Sequence, residues 1–168
     1  LLCLPMIGFG QQTYVPDDNF EQALINLGYD TFLDDSVTTA NIDTVTILDV
    51  IGDSISDLTG IESFTALTVL DCSYNALTSL DVSNNIALTN LICRDNQLTS
   101  LDVSNNTALT LLRCESNQLT SLDVSQNTAL TFLWCESNQL TSLDVRNGNN
   151  TNFTYFKAQS NANLTCIN

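Results

Sequence analysis

The sequence has no histidine and only four basic residues among its 168 residues. Without histidine there is neither a Ser-His-Asp nor a Cys-His catalytic set, and the commonest zinc ligand is missing as well. Asp and Glu number 19, so the formal net charge is -15. A chain this acidic repels a nucleic-acid backbone and an anionic membrane surface, so no nucleic-acid binding is expected. Cationic and neutral partners fit the charge.

Charged residues are also sparse, at 14%, whereas hydrophobic residues reach 43%. This share of hydrophobic residues is enough to build a core, so disorder is not expected. A length of 168 residues suits one domain. What the chain has in abundance is self-similarity. Four copies of L-T-x-L-x-C-x-x-N-x-L-T-S-L-D-V begin at Leu67, Leu88, Leu109 and Leu130 with a period of 21 residues, which is typical of a solenoid.

The repeated string L-x-x-L-x-C-x-x-N-x-L resembles the leucine-rich repeat, with Cys in the third apolar position and Asn at that family's ladder position. Each copy divides into two similar half-coils, as in a nested bacterial subclass of the family. The resemblance implies a β-rich solenoid of short parallel strands. A strand is expected in the first half-coil, and the second half-coil is a candidate for another.

The first ten residues are apolar and uncharged, and they end in the small-x-small pattern Gly8-Phe9-Gly10. This pattern is typical of a secretory signal peptide, so residues 1–10 are predicted to be its remnant, with a mature chain that starts near Gln11. No membrane insertion is expected once the signal is removed. The alternative is a buried N-terminal strand.

Residues 11–44 are predicted to form an N-terminal cap. Apolar residues from Phe20 to Leu27 fall at helical spacing, with Asp17 or Asp18 as N-cap and Gly28 as the stop. This amphipathic helix is expected to cover the exposed end of the first coil. The string PDDNFEQAL is similar to the N-terminal caps of secreted bacterial leucine-rich-repeat proteins of the internalin type.

The solenoid itself is predicted over residues 45–158. Its first coil, Val45 to Ala66, is 22 residues long and more ordinary in pattern, and its last coil is degenerate. The acidic segment 31–43 is expected to be a turn-rich connector, and residues 159–168 an incomplete C-terminal cap.

Four columns repeat at coil spacing and are predicted to build the framework. The cysteines are expected to be buried free thiols, because in-register strands point them in parallel and not at each other; disulfides are the alternative. The Asn and Thr columns are expected to satisfy backbone groups between coils. The Asp column has two interpretations, hydrogen bonding to flanking Ser and Thr or calcium binding, and no metal or cofactor is assigned. The members are Cys72, Cys93, Cys114 and Cys135; Asn75, Asn96, Asn117 and Asn138; Thr68, Thr89, Thr110 and Thr131; and Asp81, Asp102, Asp123 and Asp144.

The repeats differ from one another mainly at outward positions of the first half-coil, while the second half-coil reads Ser-x-Asp in every copy. Variation on a fixed framework is what a binding face would show. Aromatic and basic residues, which are common binding hot spots, cluster late in the stack. The predicted partner-binding residues are Leu111, Arg113, Phe132, Trp134, Glu136, Tyr155 and Lys157.

The resemblance implies a secreted or cell-surface binding module that mediates protein recognition or adhesion, with a protein partner on an extracellular surface. The alternatives are a carbohydrate-binding surface, in which the aromatic residues stack on sugar rings, and a non-catalytic accessory array of a larger secreted protein. An enzyme is not predicted, since a column of carboxylates repeated in four coils gives no singular pocket.

Overall fold

The N-terminal cap begins with a hairpin and a helix. The structure is a computed structural model that describes residues 10–148, 151 and 153–167, so the predicted signal remnant lies outside the described residues except for Gly10. Helix α1 spans Asp18–Asn26, and the Asp17 carboxylate accepts the backbone N–H groups of Asn19 and Phe20 at its start. It ends at Leu27, and Gly28 follows with a φ of 83°. The predicted helix, its N-cap and its stop are confirmed.

The segment predicted to be a turn-rich connector is more regular than expected. It contains strand β2 (Ser36–Thr38), which pairs antiparallel with β1 (Gln12–Tyr14), and helix α2 (Thr39–Ile42). The reason is a tertiary contact from α1. The fully buried Glu21 carboxylate accepts the backbone N–H groups of residues 34, 35 and 36, and this fixes the chain at the entry to β2.

Beyond the cap, the chain winds into a stack of coils that carries one long parallel sheet. Six three-residue strands pair in register in the order of the coils, so each coil adds one strand beside the previous one. The first coil adds a single 3-10 turn at Ile61–Ser63. The strands are β3 (Ile47–Asp49), β4 (Val69–Asp71), β5 (Asn90–Ile92), β6 (Leu111–Arg113), β8 (Phe132–Trp134) and β10 (Tyr155–Lys157).

A second parallel sheet lies on the other half of the coils, but only late in the stack. It contains β7 (Ser121–Asp123), β9 (Ser142–Asp144) and β11 (Cys166–Ile167). The equivalent residues 79–81 and 100–102 form no strand. Strands form where the central leucine is most enclosed: Leu80 and Leu101 are 9% and 8% exposed, whereas Leu122 and Leu143 are 3% and 0% exposed. The predicted β-rich solenoid is confirmed, and its second row of strands is partial.

The interior is filled by leucine columns together with one column that differs between the half-coils. In the first half-coil this column holds Cys72, Cys93, Cys114 and Cys135, all buried free thiols, which confirms the prediction. In the second half-coil the same slot holds Val82, Val103, Val124 and Val145. Burial raises the pKa of the Cys135 thiol to about 12. It raises the pKa of Cys72, Cys93 and Cys114 well above the ordinary range.

The asparagine column connects each coil to its neighbours, as predicted. Asn117 shows the pattern: its Nδ2 donates to the Cys93 carbonyl at 3.0 Å, and its Oδ1 accepts the Leu98 N–H at 2.9 Å. The residue before each ladder asparagine turns the chain with a left-handed φ, 55° at Ser116. The threonine column is confirmed in the same way, since Thr89 Oγ1 donates to the Thr68 carbonyl at 3.0 Å.

The sequence did not reveal a second asparagine ladder in the other half-coil. Asn85, Asn106 and Asn127 are fully buried, and each Nδ2 donates to carbonyls of the preceding coil. Asn106, for example, reaches the Val82 carbonyl at 2.9 Å. The repeated N-x-A that closes each copy was the available signal. No helix among the described residues has the length and apolar character needed to cross a membrane.

Candidate functional site

The outward side of the six-stranded sheet, called here the sheet face, is built from the first and third residue of each strand. The middle residues of β3, β4, β5, β6 and β8 are buried in the core, whereas Phe156 in the last strand, β10, is 39% exposed. The two neighbours of each middle residue point outward, because side chains alternate along a strand. In-register pairing aligns these outward residues in two columns. The first column is Ile47, Val69, Asn90, Leu111, Phe132 and Tyr155; the second is Asp49, Asp71, Ile92, Arg113, Trp134 and Lys157.

The first column is apolar except for Asn90, and it ends in an aromatic pair. The rings of Phe132 and Tyr155 lie 4.6 Å apart between centroids, with 30° between their planes. Tyr155 is 52% exposed, and Phe132 is half-buried between it and Leu111. The aromatic pair is therefore the largest apolar feature that this end of the sheet face offers to solvent.

Trp134, in the second column, is enclosed by two cations. The Arg113 guanidinium lies 4.2 Å from the ring centroid and the Lys157 ammonium 4.0 Å from it. These residues belong to β6 and β10, the strands that flank β8, so they approach the indole from its two neighbours. Cation–π contacts of this kind hold the charged groups in place. Trp134 thus acts as a support for the two cations, and its Nε1 is buried without a partner in the described structure.

Both cations are also neutralised by carboxylates of the next outward row. Arg113 pairs with Glu115, with 3.0 Å between Nε and Oε1. Lys157 Nζ lies 3.9 Å from Glu136 Oε1, and Gln159 Nε2 donates to Glu136 Oε2 at 3.1 Å. Sequence reasoning missed Glu115 and Gln159. The signal for Glu115 was available, because it stands one repeat before the predicted Glu136.

The early end of the sheet face has a different charge. Asp49 and Asp71 are paired in register on β3 and β4, and no ion pair reaches either carboxylate within the described part of the chain. Asp71 Oδ1 accepts the N–H and the hydroxyl of Ser73. Ser73 is only 1% exposed, because this hydrogen bond folds its hydroxyl back onto Asp71.

Six of the seven residues predicted to bind a partner lie on the sheet face, and the seventh, Glu136, lies at its edge. Leu111, Phe132 and Tyr155 share one column, and Arg113, Trp134 and Lys157 share the other. Glu136 lies beside them through its ion pair with Lys157. Their use in binding stays a prediction, but their contacts show two roles: the first column is the exposed apolar part and the second column is a self-paired polar part.

The Asp column of the second half-coil is engaged within its own turns. Asp81, Asp102 and Asp123 each accept the N–H of the serine two residues later, at 2.8 to 2.9 Å. Hydrogen bonds from the serines lower the pKa of Asp81 and Asp102. The side-chain hydrogen bond from Arg146 lowers the pKa of Asp144 to about 2. Hydrogen bonding, the first of the two interpretations, accounts for this column.

Carboxylates close enough to share a ligand occur elsewhere among the described residues. Two groups with oxygens within 4.8 Å of one another lie in the cap, and they share Glu21. Since Glu21 already accepts three backbone N–H groups, its carboxylate has a structural role. The groups are Asp18, Glu21 and Asp35, and Glu21, Asp30 and Asp34.

In-register parallel coils, an asparagine ladder and a helical cap define a leucine-rich-repeat solenoid with one varied face. No family model matches the sequence. The fold is similar to the functional domain of InlJ from Listeria monocytogenes, described as including a cysteine ladder, with a TM-score of 0.84 and 42% sequence identity. That match covers 95% of this chain and 36% of the InlJ chain.

A curated relative agrees with this match. Internalin J of Listeria monocytogenes serotype 4b (strain F2365) is 43% identical over 72 residues, which are 43% of this chain and 8% of the relative. The internalin InlF of the same strain shares the fold, with a TM-score of 0.61 and 20% identity over 92% of this chain and 56% of that chain. The chain has a leucine-rich-repeat fold and is similar to internalins, and it spans 36% of the InlJ chain and 8% of the curated Internalin J.

Proposed function

We propose that this chain is a binding module that holds a protein partner on its sheet face, in recognition or adhesion at a cell surface. The observation that carries the proposal is the pair of half-buried Phe132 and exposed Tyr155 beside Trp134, whose ring is flanked by two cations. The opposite half-coils repeat the same small polar residues and provide no such feature.

The geometry of the pair supports binding to a protein. Aromatic side chains give large contact areas with few rotatable bonds, so they lose little conformational entropy on binding. Phe132 is already packed against Tyr155, and Trp134 is held by Arg113 and Lys157. A face that is ordered before the partner arrives gains affinity from this preorganisation.

The placement at a cell surface rests on the likeness to internalins and on the predicted signal remnant at residues 1–10. Leucine-rich repeats are generally interaction scaffolds, and the chain has no histidine-based catalytic set. A glycan partner is less well supported, because stacking on a sugar needs a free ring face and both neighbours of Trp134 cover its ring.

The test compares two double variants with the wild-type chain. Phe132→Ser/Tyr155→Ser removes the aromatic pair, and Ser121→Ala/Ser142→Ala alters the equivalent outward positions of the second sheet. Each protein is immobilised and exposed to solubilised cell-surface proteins and, in parallel, to a glycan array, and captured species are quantified by mass spectrometry. A partner's recovery is expected to fall at least tenfold with the aromatic double variant and to stay at the wild-type level with the serine variant.

Equal recovery by wild type and the aromatic variant would overturn the proposal. Binding confined to the glycan array, and lost in the aromatic variant, would replace the protein partner by a carbohydrate. Circular dichroism of all three proteins confirms that the variants are folded, which is expected because all four substituted side chains are partly or largely solvent-exposed.

A further inference from the structure

We infer that the partner of the sheet face is a segment with Lys or Arg side chains over β3 and β4 and apolar or aromatic side chains over β6, β8 and β10. This inference rests on the proposed function and adds the chemistry of the partner and its direction along the sheet. It follows from the way charge and apolar surface are divided between the two ends of the sheet face.

The early end carries two carboxylates with which no cation of the described residues pairs. Asp49 and Asp71 are register partners on neighbouring strands, which lie about 4.8 Å apart. Two negative charges this close repel each other by about 1 kcal/mol in water. Within the described part of the chain, the hydrogen bonds to these carboxylates reach only Oδ1: Asp49 Oδ1 accepts from the Ile51 N–H at 3.3 Å, and Asp71 Oδ1 accepts from Ser73. The Oδ2 atoms of both residues therefore remain available to a cationic side chain.

The chain's own basic residues do not serve this end. Arg113 and Lys157 are stacked on Trp134 and paired with Glu115 and Glu136. Arg94 lies over the Tyr74 ring, 4.6 Å from its centroid. The fourth basic residue, Arg146, pairs with Asp144 on the second half-coil.

The late end offers apolar contact without a free charge. Its two cations already have carboxylate partners, so an acidic ligand would have to displace Glu115 or Glu136 to use them. The same ligand would meet the unpaired Asp49 and Asp71 at the early end. Complementary charge at an interface selects partners and opposes wrong ones. A basic segment gains favourable charge interactions with the carboxylates at the early end, and it does not have to displace an ion pair at the late end. This charge complementarity is the reason for inferring a basic partner.

The strand spacing gives the separation of the two features in the partner. From Asp71 on β4 to Phe132 on β8 there are three strand intervals, about 14 Å at about 4.8 Å each. From Asp49 to Tyr155 there are five intervals, or about 24 Å on the same spacing. An extended segment that crosses the strands advances about 3.3 Å per residue. The basic and aromatic side chains are then about four to seven residues apart.

The experiment selects random linear 12-residue peptides, displayed on phage, against the wild-type chain. Enriched peptides are synthesised, and their affinity is measured for wild type, Asp49→Asn/Asp71→Asn and Phe132→Ser/Tyr155→Ser. The matched control is Asp81→Asn/Asp102→Asn, which removes the same number of charges from the second half-coils. The expected peptides combine Lys or Arg with an aromatic residue at the stated spacing. Their affinity falls at least tenfold in the first two variants, weakens with added salt and is unchanged in the control.

The failures are distinguishable. Peptides that need Phe132 and Tyr155 but are acidic or neutral, or that ignore Asp49→Asn/Asp71→Asn, overturn this inference and leave the proposed function standing. Equal loss in the control variant shows general attraction to an acidic protein and also overturns it. Peptides indifferent to Phe132→Ser/Tyr155→Ser overturn both. The absence of any enriched peptide overturns this inference, and the capture of cell-surface proteins then decides the proposed function separately.

Discussion

The two half-coils of each repeat share a framework but present different surfaces. Each has a buried leucine in the middle of its outward triplet and a buried asparagine that reaches the preceding coil. The second half-coil repeats Ser-x-Asp outward, with each Asp engaged in its own turn. In the first half-coil, the outward residues differ from coil to coil, for example Asp71 in β4 and Trp134 at the equivalent position in β8. The buried framework residues supply the hydrogen bonds that the backbone needs. The outward residues of the first half-coil can therefore change without loss of the fold.

The largest expected effect comes from breaking the framework that both half-coils share. Asn117→Ala leaves the Leu98 N–H without its acceptor and removes one donor from the Cys93 carbonyl, which keeps the Asn96 Nδ2. Asn106→Ala removes one donor each from the Val82 and Asn85 carbonyls, which keep the Asn85 and Leu88 N–H groups. A buried N–H left unsatisfied costs about 1–3 kcal/mol, and a lost hydrogen bond costs about 0.5–1.5 kcal/mol. Urea unfolding is therefore expected to show a loss of about 2–4 kcal/mol for Asn117→Ala and about 1–3 kcal/mol for Asn106→Ala.

The exposed neighbour provides the control for both ladders. Asn105→Ala removes only a surface hydrogen bond to the Ser83 carbonyl at 3.3 Å, so its effect should stay within about 0.5 kcal/mol. If Asn106→Ala were as mild as Asn105→Ala, the second half-coil would not depend on a ladder, and the two halves would differ in framework as well as in surface.

A smaller effect is expected on the pH dependence of the free energy of unfolding, because the buried cysteine column belongs to the first half-coil and valine takes its place in the second. The Cys93 and Cys114 thiols have pKa values raised by burial, whereas the unfolded chain ionises its thiols near pH 8.5. The unfolded state then releases protons that the folded state keeps, so the free energy of unfolding falls as pH rises from about 8.5 toward the folded-state pKa values. The alkaline slope is the decrease in the free energy of unfolding per pH unit above about pH 8.5. Cys93→Ala/Cys114→Ala removes two of the four thiols of the column, so it should lose about half of the column's contribution to this slope.

The valine column supplies the matched variant. Val103→Ala/Val124→Ala also shortens two buried side chains, in the other half-coil, and should lower stability at pH 7 while keeping the full alkaline slope. Free energies of unfolding from urea titrations between pH 7 and pH 10 give both quantities. An unchanged alkaline slope in the cysteine variant would show that the thiols do not control it.

The smallest effect is expected on the constant outward face. Asp102→Asn keeps an acceptor for the Ser104 N–H and relieves repulsion with Asp81, so stability should change by less than about 0.5 kcal/mol at pH 7. The lowered pKa of Asp102 stabilises the fold above the unfolded pKa of about 3.9, and this contribution is lost as pH falls through the folded value. Asp102→Ala, which loses the acceptor, should cost more than Asp102→Asn in the same urea titration. The reverse order would show that the charge, and not the hydrogen bond, sets the role of this column.

Much of the fold could be predicted from the sequence because the repeats are nearly identical and stay in register. Asp17 as N-cap, the buried thiols and the first asparagine column follow from local patterns whose chemistry does not depend on distant residues. The connector was misjudged because β2 depends on Glu21, which lies 15 residues before Ser36. The second row of strands was only partly predicted, since its formation follows how deeply Leu122 and Leu143 are enclosed.

The sequence by itself determined the solenoid, because a fixed period repeats the same buried and hydrogen-bonding positions in every coil, and it also located the varied face. The tertiary structure decided what the side chains on that face do. Stacking places Arg113 and Lys157 on the strands that flank Trp134, and no cation in the residues that the structure describes pairs with Asp49 or Asp71. These contacts join residues one or more coils apart, so they depend on the register of the sheet and on the rotamers that neighbouring side chains allow.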